Sequence, residues 1–475
     1  MRESMSEAGE PAVLHMGTFE AELHWREHNL ATLPALPDKE AERIVTAMDE
    51  LLFAFCKPGD LLLTRYAMEP CQRDYTAALG FDFATSRMDL EQPVRADQRS
   101  GSSSLHTGGG QLLQQSRTTE QQPMSVFRLL YEHGQAIADQ LPLAGTILSP
   151  FAWVPYISES SQRFGIQARQ PQLETVRMVN TKHYSAQMKE RLQLANPGVL
   201  VRSAAELEQV GTSLLQDGSF MIKDNYGVSG KGNLHIDSPA LLQRIVNSIR
   251  KQEQKGRNVQ FVLERYSHKE RDFSCQFHIT EQGDIDILSV QWLANSQFAY
   301  RESLSPDIQF MDRLENSAYF DTMLDIGRLL YQDGYFGHVC IDSMTLIDGS
   351  IEPMVEINAR KSMSLIKHSI DRYLRQYGLV GNMTNYTVSH DGSFTYEQLL
   401  IELQHRGLLF LPERGGGILP LTSAAWSVNH RDAPIGSKHK GRLYLSAVAA
   451  DEQGKRELLN QLEQVLEGRG VSILN

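Results

Sequence analysis

The chain has 475 residues, of which 41% are hydrophobic and 22% are charged, and its formal net charge is -12. This composition is typical of a globular protein and excludes disorder over the whole chain. The acidic balance argues against nucleic acid or an anionic membrane as the main partner. At roughly 150 residues per domain, we expect about three domains.

Targeting signals and disulfides are not indicated by the sequence. The first residues, MRESMSEAGEPAVLHMG, contain no apolar signal core, and no run approaches the roughly 18 apolar residues of a membrane helix. We therefore expect a cytoplasmic protein. The cysteines are dispersed and too few for a disulfide framework, and the last two are interpreted as small core residues. They are Cys56, Cys71, Cys275 and Cys340.

The region up to about residue 175 has the pattern of one α/β unit. Helical periodicity runs over 38–56, and a second helix is predicted over 124–141. Between them, residues 92–122 are rich in Gly, Ser and Gln, which predicts a mobile loop or insertion. The apolar stretch GTILSPFAWVPYI then has the bias of a buried strand. A strand and an amphipathic helix are also predicted near the end of the chain, in GRLYLSAVAA and DEQGKRELLNQLEQVLEG.

The stretch FMIKDNYGVSGKGNLHI, residues 220–236, has two apolar runs that flank a glycine-rich loop. A Walker A loop is excluded because Asn225 replaces its first glycine, Gly232 replaces its hydroxyl residue, and a strand follows instead of a helix. The pattern predicts a β-hairpin with Lys223 in its first strand and Lys231 at its tip. Glycines let backbone N–H groups approach a polyanion, although an ordinary glycine-rich hairpin remains an alternative.

A second hairpin is predicted in GYFGHVCIDSMTLIDGSIEPMVEINARKSMS, residues 334–364. Its register places Asp342 opposite Glu356, and two facing carboxylates repel unless a cation lies between them. Asn358 lies on the same face, and oxygen donors of this kind suit Mg²⁺. Arg360 follows and could meet a phosphate with its planar guanidinium. A polar, solvated strand face remains the alternative. The opposite face is expected to carry Val355, Ile357 and Ala359.

Between these hairpins, QFVLERYSHKERDFSCQFHI joins two strands and carries Glu264 and Asp272. In this order the motifs resemble an ATP-grasp enzyme over about residues 150–372. The resemblance implies two α+β lobes that clamp ATP, with two lysines and a glycine-rich loop on its phosphates. A linker containing Glu264 would meet adenine and Asp272 the ribose, with Glu270 as a rival for that role. The implied ATP-binding residues are Lys182, Lys223, Tyr226, Gly227, Ser229, Gly230, Lys231, Gly232, Glu264, Arg265, Tyr266 and Asp272.

The resemblance also implies that Asp342, Glu356 and Asn358 hold magnesium, with two ions expected, and that Arg360 and Lys223 are catalytic. The stretch VPYISESSQRFGIQARQPQLETVRMVNTKHYSAQMKERL is similar to the segment that precedes the first lobe in pheganomycin-type peptide ligases and butirosin-type carrier-protein glutamate ligases. This subgroup has a pre-ATP-grasp domain and a small C-terminal domain. The expected domains are 1–175, 176–372 (lobes 177–265 and 266–372) and 373–475.

The activity implied is that of an ADP-forming ligase, which phosphorylates a substrate carboxylate and couples the acylphosphate to an amine. A thioester-forming ligase acting on an acyl-carrier-protein thiol and a non-catalytic ATP-binding protein remain alternatives, and a homodimer is expected from the family. The basic segment 429–442 could favour an acidic carrier protein or could be a solvated loop. His338, upstream of Asp342 on its strand, is either a general base or a packed histidine.

Overall fold

The computed structural model describes residues 11–91, 123–227, 232–296, 299–434 and 436–474. The loop predicted at 92–122 lies outside these residues. Three β-sheets organise the described chain, one parallel and two antiparallel. No helix in this part of the chain combines the length and the apolar composition needed to cross a membrane.

The first sheet is parallel and has the strand order β3-β2-β1-β4, which confirms the α/β prediction for the N-terminal unit. Helices cover it, as parallel strands require crossover connections. Its strands are β1 (Val13–Met16), β2 (Asp60–Leu63), β3 (Phe83–Thr85) and β4 (Ile147–Pro150). Its helices are α1 (Ala21–Trp25), α2 (Lys39–Thr46), α3 (Pro70–Ala78), α4 (Val126–His133), α5 (Gln135–Ala138) and α6 (Ile157–Phe164).

The helix predicted over 38–56 is wrong in its second half. Asp38 caps α2 by accepting a hydrogen bond from the Ala41 backbone N–H at 3.0 Å, but the helix ends at Thr46 and a 3₁₀ helix occupies Met48–Phe55. Nearly every side chain of that second segment is buried. Packing on all sides thus overrides the local preference for a continuous α-helix.

The second sheet is antiparallel, has the order β5-β8-β6-β7, and forms the first lobe together with two helices. It contains the predicted glycine-rich hairpin, with Lys223 paired to Asn233. The lobe has a hydrophobic core of its own, to which Ala31 and Leu33 contribute. Two helices, α7 (Leu173–Val179) and α8 (Lys182–Arg191), precede it. Its elements are β5 (Val199–Val201), α9 (Ala204–Asp217), β6 (Phe220–Asp224), β7 (Asn233–Ile236), α10 (Pro239–Glu253) and β8 (Phe261–Arg265).

The third sheet has nine strands in the order β13-β12-β9-β10-β11-β14-β16-β15, with β17 paired to β14. Its core is continuous with that of the N-terminal unit. The strands are β9 (Lys269–Ile279), β10 (Ile285–Ser296), β11 (Ala299–Leu304), β12 (Gly337–Leu346), β13 (Ile351–Asn358), β14 (Gly381–His390), β15 (Gly417–Pro420), β16 (His439–Val448) and β17 (Ser472–Ile473). The helices are α11 (Ile308–Glu315), α12 (Tyr319–Gln332), α13 (Met363–Arg375), α14 (Tyr396–His405), α15 (Ala424–Ser427) and α16 (Glu452–Gly468).

The second lobe comprises β9 to β13, and strand pairing joins it to the C-terminal segment. β11 pairs with β14, so the sheet continues across the domain boundary predicted at residue 372, which falls inside α13. The predicted strand and helix at the end of the chain are present as β16 and α16. The C-terminal segment therefore extends the second lobe's sheet.

Candidate active site

A cleft of about 300 Å³ lies between the strands of the first lobe and those of the second. One wall comes from β6, β7 and β8, and the other from β9, β10, β12 and β13. Most of the residues predicted for ATP and metal binding line this one space, although they come from separate parts of the chain. They are Lys223, Gly227, Glu264, Arg265, Tyr266, Asp272, Asp342, Glu356, Asn358 and Arg360.

On the second lobe, Asp342 pairs directly with Glu356, which confirms the predicted register. The side-chain amide of Asn358 donates a hydrogen bond to Asp342 Oδ2 at 3.0 Å. Burial, followed by the Glu356 carboxylate, raises the pKa of Asp342 to about 7. Two facing carboxylates and a neighbouring amide oxygen form an oxygen-donor set that fits Mg²⁺.

The fit to a metal depends on this two-carboxylate, one-amide set. No group of three or more His, Cys, Asp or Glu side chains placed to hold a metal occurs among the described residues. Mg²⁺ usually takes one or two carboxylates and completes its shell with water and phosphate oxygens.

A bulge in the hairpin changes one prediction about its faces. The register shifts between Asp342 and Met344, so that Met344 pairs with Glu352. Ile357 is buried in the core as predicted, but Val355 lines the cleft beside Glu356. The assignment of Val355 to the opposite face was therefore wrong, because strict two-residue alternation fails at a bulge.

Lys182 lies at the start of α8, which Thr181 caps through its side chain. Its ammonium group donates hydrogen bonds to Glu356 Oε1 and, at 3.2 Å, to the Gly227 carbonyl. Lys182 thus joins the acidic hairpin of the second lobe to the glycine-rich hairpin of the first. It does not itself line the cleft, but it contacts two residues that do.

Lys223 is buried and bonds Glu264 Oε2 at 2.5 Å. The two side chains meet because Met221 pairs with Glu264, which makes Lys223 its diagonal neighbour in the sheet. Burial disfavours the charge of Lys223, but the Glu264 carboxylate outweighs it and raises the pKa of the lysine. The side chain of Glu264, expected near adenine, is thus engaged by this lysine.

The sequence interpretation missed two buried partners of this pair. Lys189 is fully buried, and its Nζ lies 2.9 Å from Glu352 Oε1 and 3.8 Å from Glu264 Oε2. Lys182 and Lys189 are seven residues apart on α8, so they share a helix face, and that spacing was the available signal. Between them, Ser185 accepts a hydrogen bond from the Ile357 backbone N–H at 3.1 Å.

The glycines at the base of the loop have a steric role. A Cβ on Gly232 would lie 2.2 Å from the Gly227 Cα, and one on Gly227 would lie 2.6 Å from the Gly232 Cα. The two backbones can approach this closely only without side chains. Tyr226 packs against the large hydrophobic core and is not among the residues that line the cleft. The remaining predicted loop residues, Ser229, Gly230 and Lys231, lie outside the described residues.

The segment after β8 carries the predicted linker. Arg265 forms an exposed ion pair with Asp217 at 2.6 Å, and the Tyr266 ring lies 4.4 Å from that of His235. Asp272 lines the cleft and accepts a hydrogen bond from Asn295 at 2.9 Å.

The rival acid for the ribose lies elsewhere. Glu270 accepts a hydrogen bond from Thr345 at 3.2 Å and does not line the cleft. Of the two acids, Asp272 is the one that lines the cleft.

Arg360 is fixed by a residue of the N-terminal unit. Its Nε and Nη2 donate to Glu22 Oε1 at 3.0 and 2.7 Å, and Nη2 also donates to Asn358 Oδ1 at 3.3 Å. Nη1 donates to the Lys361 carbonyl at 3.2 Å. Of five N–H donors, one on Nη1 has no partner among the described residues. The bidentate contact that the sequence suggested is therefore not open to Arg360 in this arrangement.

The basic segment 429–442 is partly neutralised within the chain. Arg431 pairs with Asp89, and Lys440 Nζ lies 2.7 Å from Asp38 Oδ2. The Arg442 side chain is turned toward Tyr444. Lys438 is exposed, so the segment still presents positive charge to solvent.

The sequence of this chain is similar to that of one curated ligase. No family model matches the sequence. The chain is 26% identical over 225 residues to the [butirosin acyl-carrier protein]–L-glutamate ligase of Niallia circulans, which confirms the resemblance to that type of ligase. The match covers 45% of this chain and 52% of the relative, so the chain spans about half the length of the curated relative it matches.

Among solved structures, the chain is similar to biotin carboxylase from Campylobacter jejuni, with a TM-score of 0.51, 12% identity, and coverage of 99% of this chain and 93% of that one. It is also similar to an L-amino acid ligase from Bacillus licheniformis, with a TM-score of 0.44, 12% identity, and coverage of 73% and 84%. The arrangement of the two lobes and the cleft, together with the first of these likenesses, identifies the fold of this chain as the ATP-grasp fold.

Proposed function

We propose that the protein is an ATP-dependent ligase that phosphorylates a substrate carboxylate and couples the acylphosphate to an amine, releasing ADP and phosphate. The observation that carries this proposal is the cleft itself, in which Lys223 of one lobe faces the opposed carboxylates Asp342 and Glu356 of the other. Phosphoryl transfer needs positioning and charge neutralisation more than covalent chemistry from the protein. Side chains from both lobes of this cleft can position the phosphates and neutralise their charge.

In the proposed reaction the chain's own groups hold and orient the phosphates. Lys223 would turn from Glu264 toward them, and Lys182 would exchange its contact with Glu356 for one to phosphate. The unpartnered N–H on Arg360 Nη1 would donate to the transferred group or to the carboxylate that receives it. Each lysine is paired with a carboxylate in the free protein.

Asp342, Glu356 and Asn358 would hold magnesium, with two ions as the expectation. The metal would supply charge neutralisation at the phosphate oxygens. Asp272 would accept a hydrogen bond from the ribose, and the backbone near Arg265 and Tyr266 would meet adenine.

The acceptor has two candidates, a free amine and the thiol of an acyl carrier protein. The similarity to a ligase named for a carrier protein and L-glutamate favours testing both, with L-glutamate as the first carboxylate. It also supports a role in secondary metabolism. A cytoplasmic location and a homodimer remain predictions. A non-catalytic ATP-binding role is disfavoured because the residues expected to act on the phosphates are in place. Lys223, Asp342 and Glu356 line the cleft, and Lys182 contacts Glu356.

The test is ADP release from magnesium-ATP with pools of amino acids, using hydroxylamine as a general acceptor and mass spectrometry to detect hydroxamates. A hydroxamate together with ADP is the expected result and names the carboxylate. Formation of AMP in place of ADP would overturn the proposal.

Two variants tie the activity to the cleft. Glu356→Gln and Lys223→Ala should abolish ADP formation without unfolding the protein, whereas the exposed controls Glu315→Gln and Lys255→Ala should behave like the unmodified protein. Near-normal turnover in either cleft variant would remove the assignment of that residue.

A further inference from the structure

A buried lysine beside the cleft has no acidic partner. Lys361 follows Arg360 directly and is only 2% exposed. Its Nζ donates to Ser149 Oγ at 2.7 Å and to the Ser149 carbonyl at 3.1 Å, and it lies 4.7 Å from the centroid of the Phe55 ring. Among the described residues, no carboxylate lies within ion-pair distance of it. Buried charges are normally paired, so this arrangement is costly to the free protein.

Three histidines lie near this lysine, and after burial its charge contributes to the lowered pKa of each. His15 on β1 is the strand neighbour of Ser149 on β4, and across the interface the rings of His278 and His338 lie 4.7 Å apart on β9 and β12. The Nδ1 atoms of His15 and His338 are buried and have no partner in the described part of the chain. The residues of this basic cluster are Lys361, His15, His278 and His338.

Two acids adjoin the cluster: Asp286 is exposed and is the cross-strand neighbour of His278, and Asp60 is engaged by other groups. Asp60 lies 3.3 Å from His15 Nε2 and also accepts hydrogen bonds from the backbone N–H groups of Val13 and Lys57. Burial lowers the pKa of Lys361 to about 7 and that of His15 to about 4. For His338, burial and then the charge of Lys361 lower the pKa well below its ordinary value. The cluster therefore has an excess of nitrogen bases over acids.

The position of the cluster relates it to the proposed phosphoryl-transfer site. His338, Cys340 and Asp342 follow one another at two-residue steps on β12, so they share a face of the sheet. At about 3.3 Å per residue, the cluster begins roughly 13 Å along the strand from Asp342. The cleft lining includes Arg360 and Ser362, the two chain neighbours of Lys361, but none of the four cluster residues. His278 and His338 are partly exposed to solvent.

We propose that the basic cluster binds a second carboxylate of the substrate, distinct from the one that is phosphorylated, and thereby selects an acidic amino acid. This inference rests on the proposed ligase function for the role of the bound molecule. Lys361 supplies the charge, and the unpartnered histidine nitrogens supply further hydrogen bonds when protonated or in the matching tautomer. A carboxylate in this position satisfies groups that the free protein leaves without partners.

The test is calorimetric binding of L-glutamate and of the near-isosteric L-glutamine to the full-length protein without ATP, so that it does not depend on turnover. The unmodified protein is expected to bind L-glutamate at least tenfold more tightly than L-glutamine. In Lys361→Met this preference should disappear, while the melting temperature of the free protein should stay the same or rise. Equal affinities in the unmodified protein, no binding of L-glutamate, or a preference retained by the variant would each overturn the proposal.

A matched control separates recognition from structure. Lys367 is equally buried, but it bonds Asp371 at 2.5 Å. Lys367→Met leaves that carboxylate uncompensated, so it should lower the melting temperature and keep the preference for L-glutamate. If Lys361→Met instead lowers the melting temperature and keeps the preference, Lys361 is structural and the proposal fails. Absence of ADP formation with every carboxylate would count against the proposed ligase, while this binding test would still decide the cluster.

Discussion

The contact between Glu22 and Arg360 gives the most specific prediction about the active site. Glu22→Gln preserves the shape of the side chain but removes the charge that receives two N–H groups of Arg360. The Glu22 and Arg360 side chains are 6% and 16% exposed, so solvent screens this pair little. The guanidinium should lose its fixed orientation beside Asn358.

The magnitude follows from the burial and number of these bonds. A hydrogen bond to a charged group contributes about 1.5–3 kcal/mol net, and losing the charge of one partner weakens both bonds. If that amount of orientation energy is lost from the transition state, kcat/KM should fall about 10- to 100-fold, since ~1.4 kcal/mol is a factor of ten. Because the arginine is buried, the Glu22→Gln variant should also have a lower free energy of unfolding than the unmodified protein.

The assay is steady-state ADP release under saturating magnesium-ATP, at a temperature well below the melting point of both proteins. Glu27→Gln is the matched control because Glu27 lies in the same segment but is exposed. If kcat/KM for the carboxylate substrate is unchanged in Glu22→Gln and the fold is intact, the idea that the N-terminal unit positions Arg360 is refuted. An equal loss in the control would point to a general effect of the segment instead.

Three further predictions concern the glycine loop and the buried lysines. Gly232→Ala would place a Cβ 2.2 Å from Gly227, so it should raise the KM for ATP and lower the melting temperature, whereas Gly468→Ala, which meets no neighbour, should do neither. Lys189→Met should destabilise the protein by about 3–5 kcal/mol in urea unfolding, because it leaves the buried Glu352 carboxylate without its ion-pair partner; a loss below 1 kcal/mol would contradict this. Since burial lowers the pKa of Lys361 to about 7, the unfolded chain binds more protons than the native one above that pH. The free energy of unfolding should therefore rise by up to about 1.4 kcal/mol per pH unit between pH 7 and roughly 10, relative to Lys361→Met, and parallel profiles would contradict the assignment.

Local patterns predicted those parts of the site that lie on single strands or hairpins. The facing of Asp342 and Glu356 follows from the two-residue period of a strand and the length of one turn, and the structure confirms it. The pairing of Lys223 with the returning strand was predictable for the same reason. The face assigned to Val355 failed where a bulge interrupts that period.

Contacts between distant segments could not be derived in this way. Glu22 reaches Arg360 across 338 residues, and Lys189 reaches Glu352 across 163. Nothing in the spacing of these residues specifies such a contact, because it depends on how the N-terminal unit and α8 pack against the second lobe. The continuation of the sheet from β11 to β14 is a similar case, since strand pairing across a helix is decided by the whole fold.

The sequence by itself determined the local elements that carry the chemistry: the glycine-rich hairpin, the acidic hairpin, and the ATP-grasp resemblance that their order supports. Short-range periodicity and turn composition encode these features within a few tens of residues. Only the tertiary structure decided which partners hold those groups in place, and it revealed Lys361, which has no acidic partner among the described residues, near three histidines. Burial and charge compensation are properties of a packed interior, so they become readable only when distant segments are brought together.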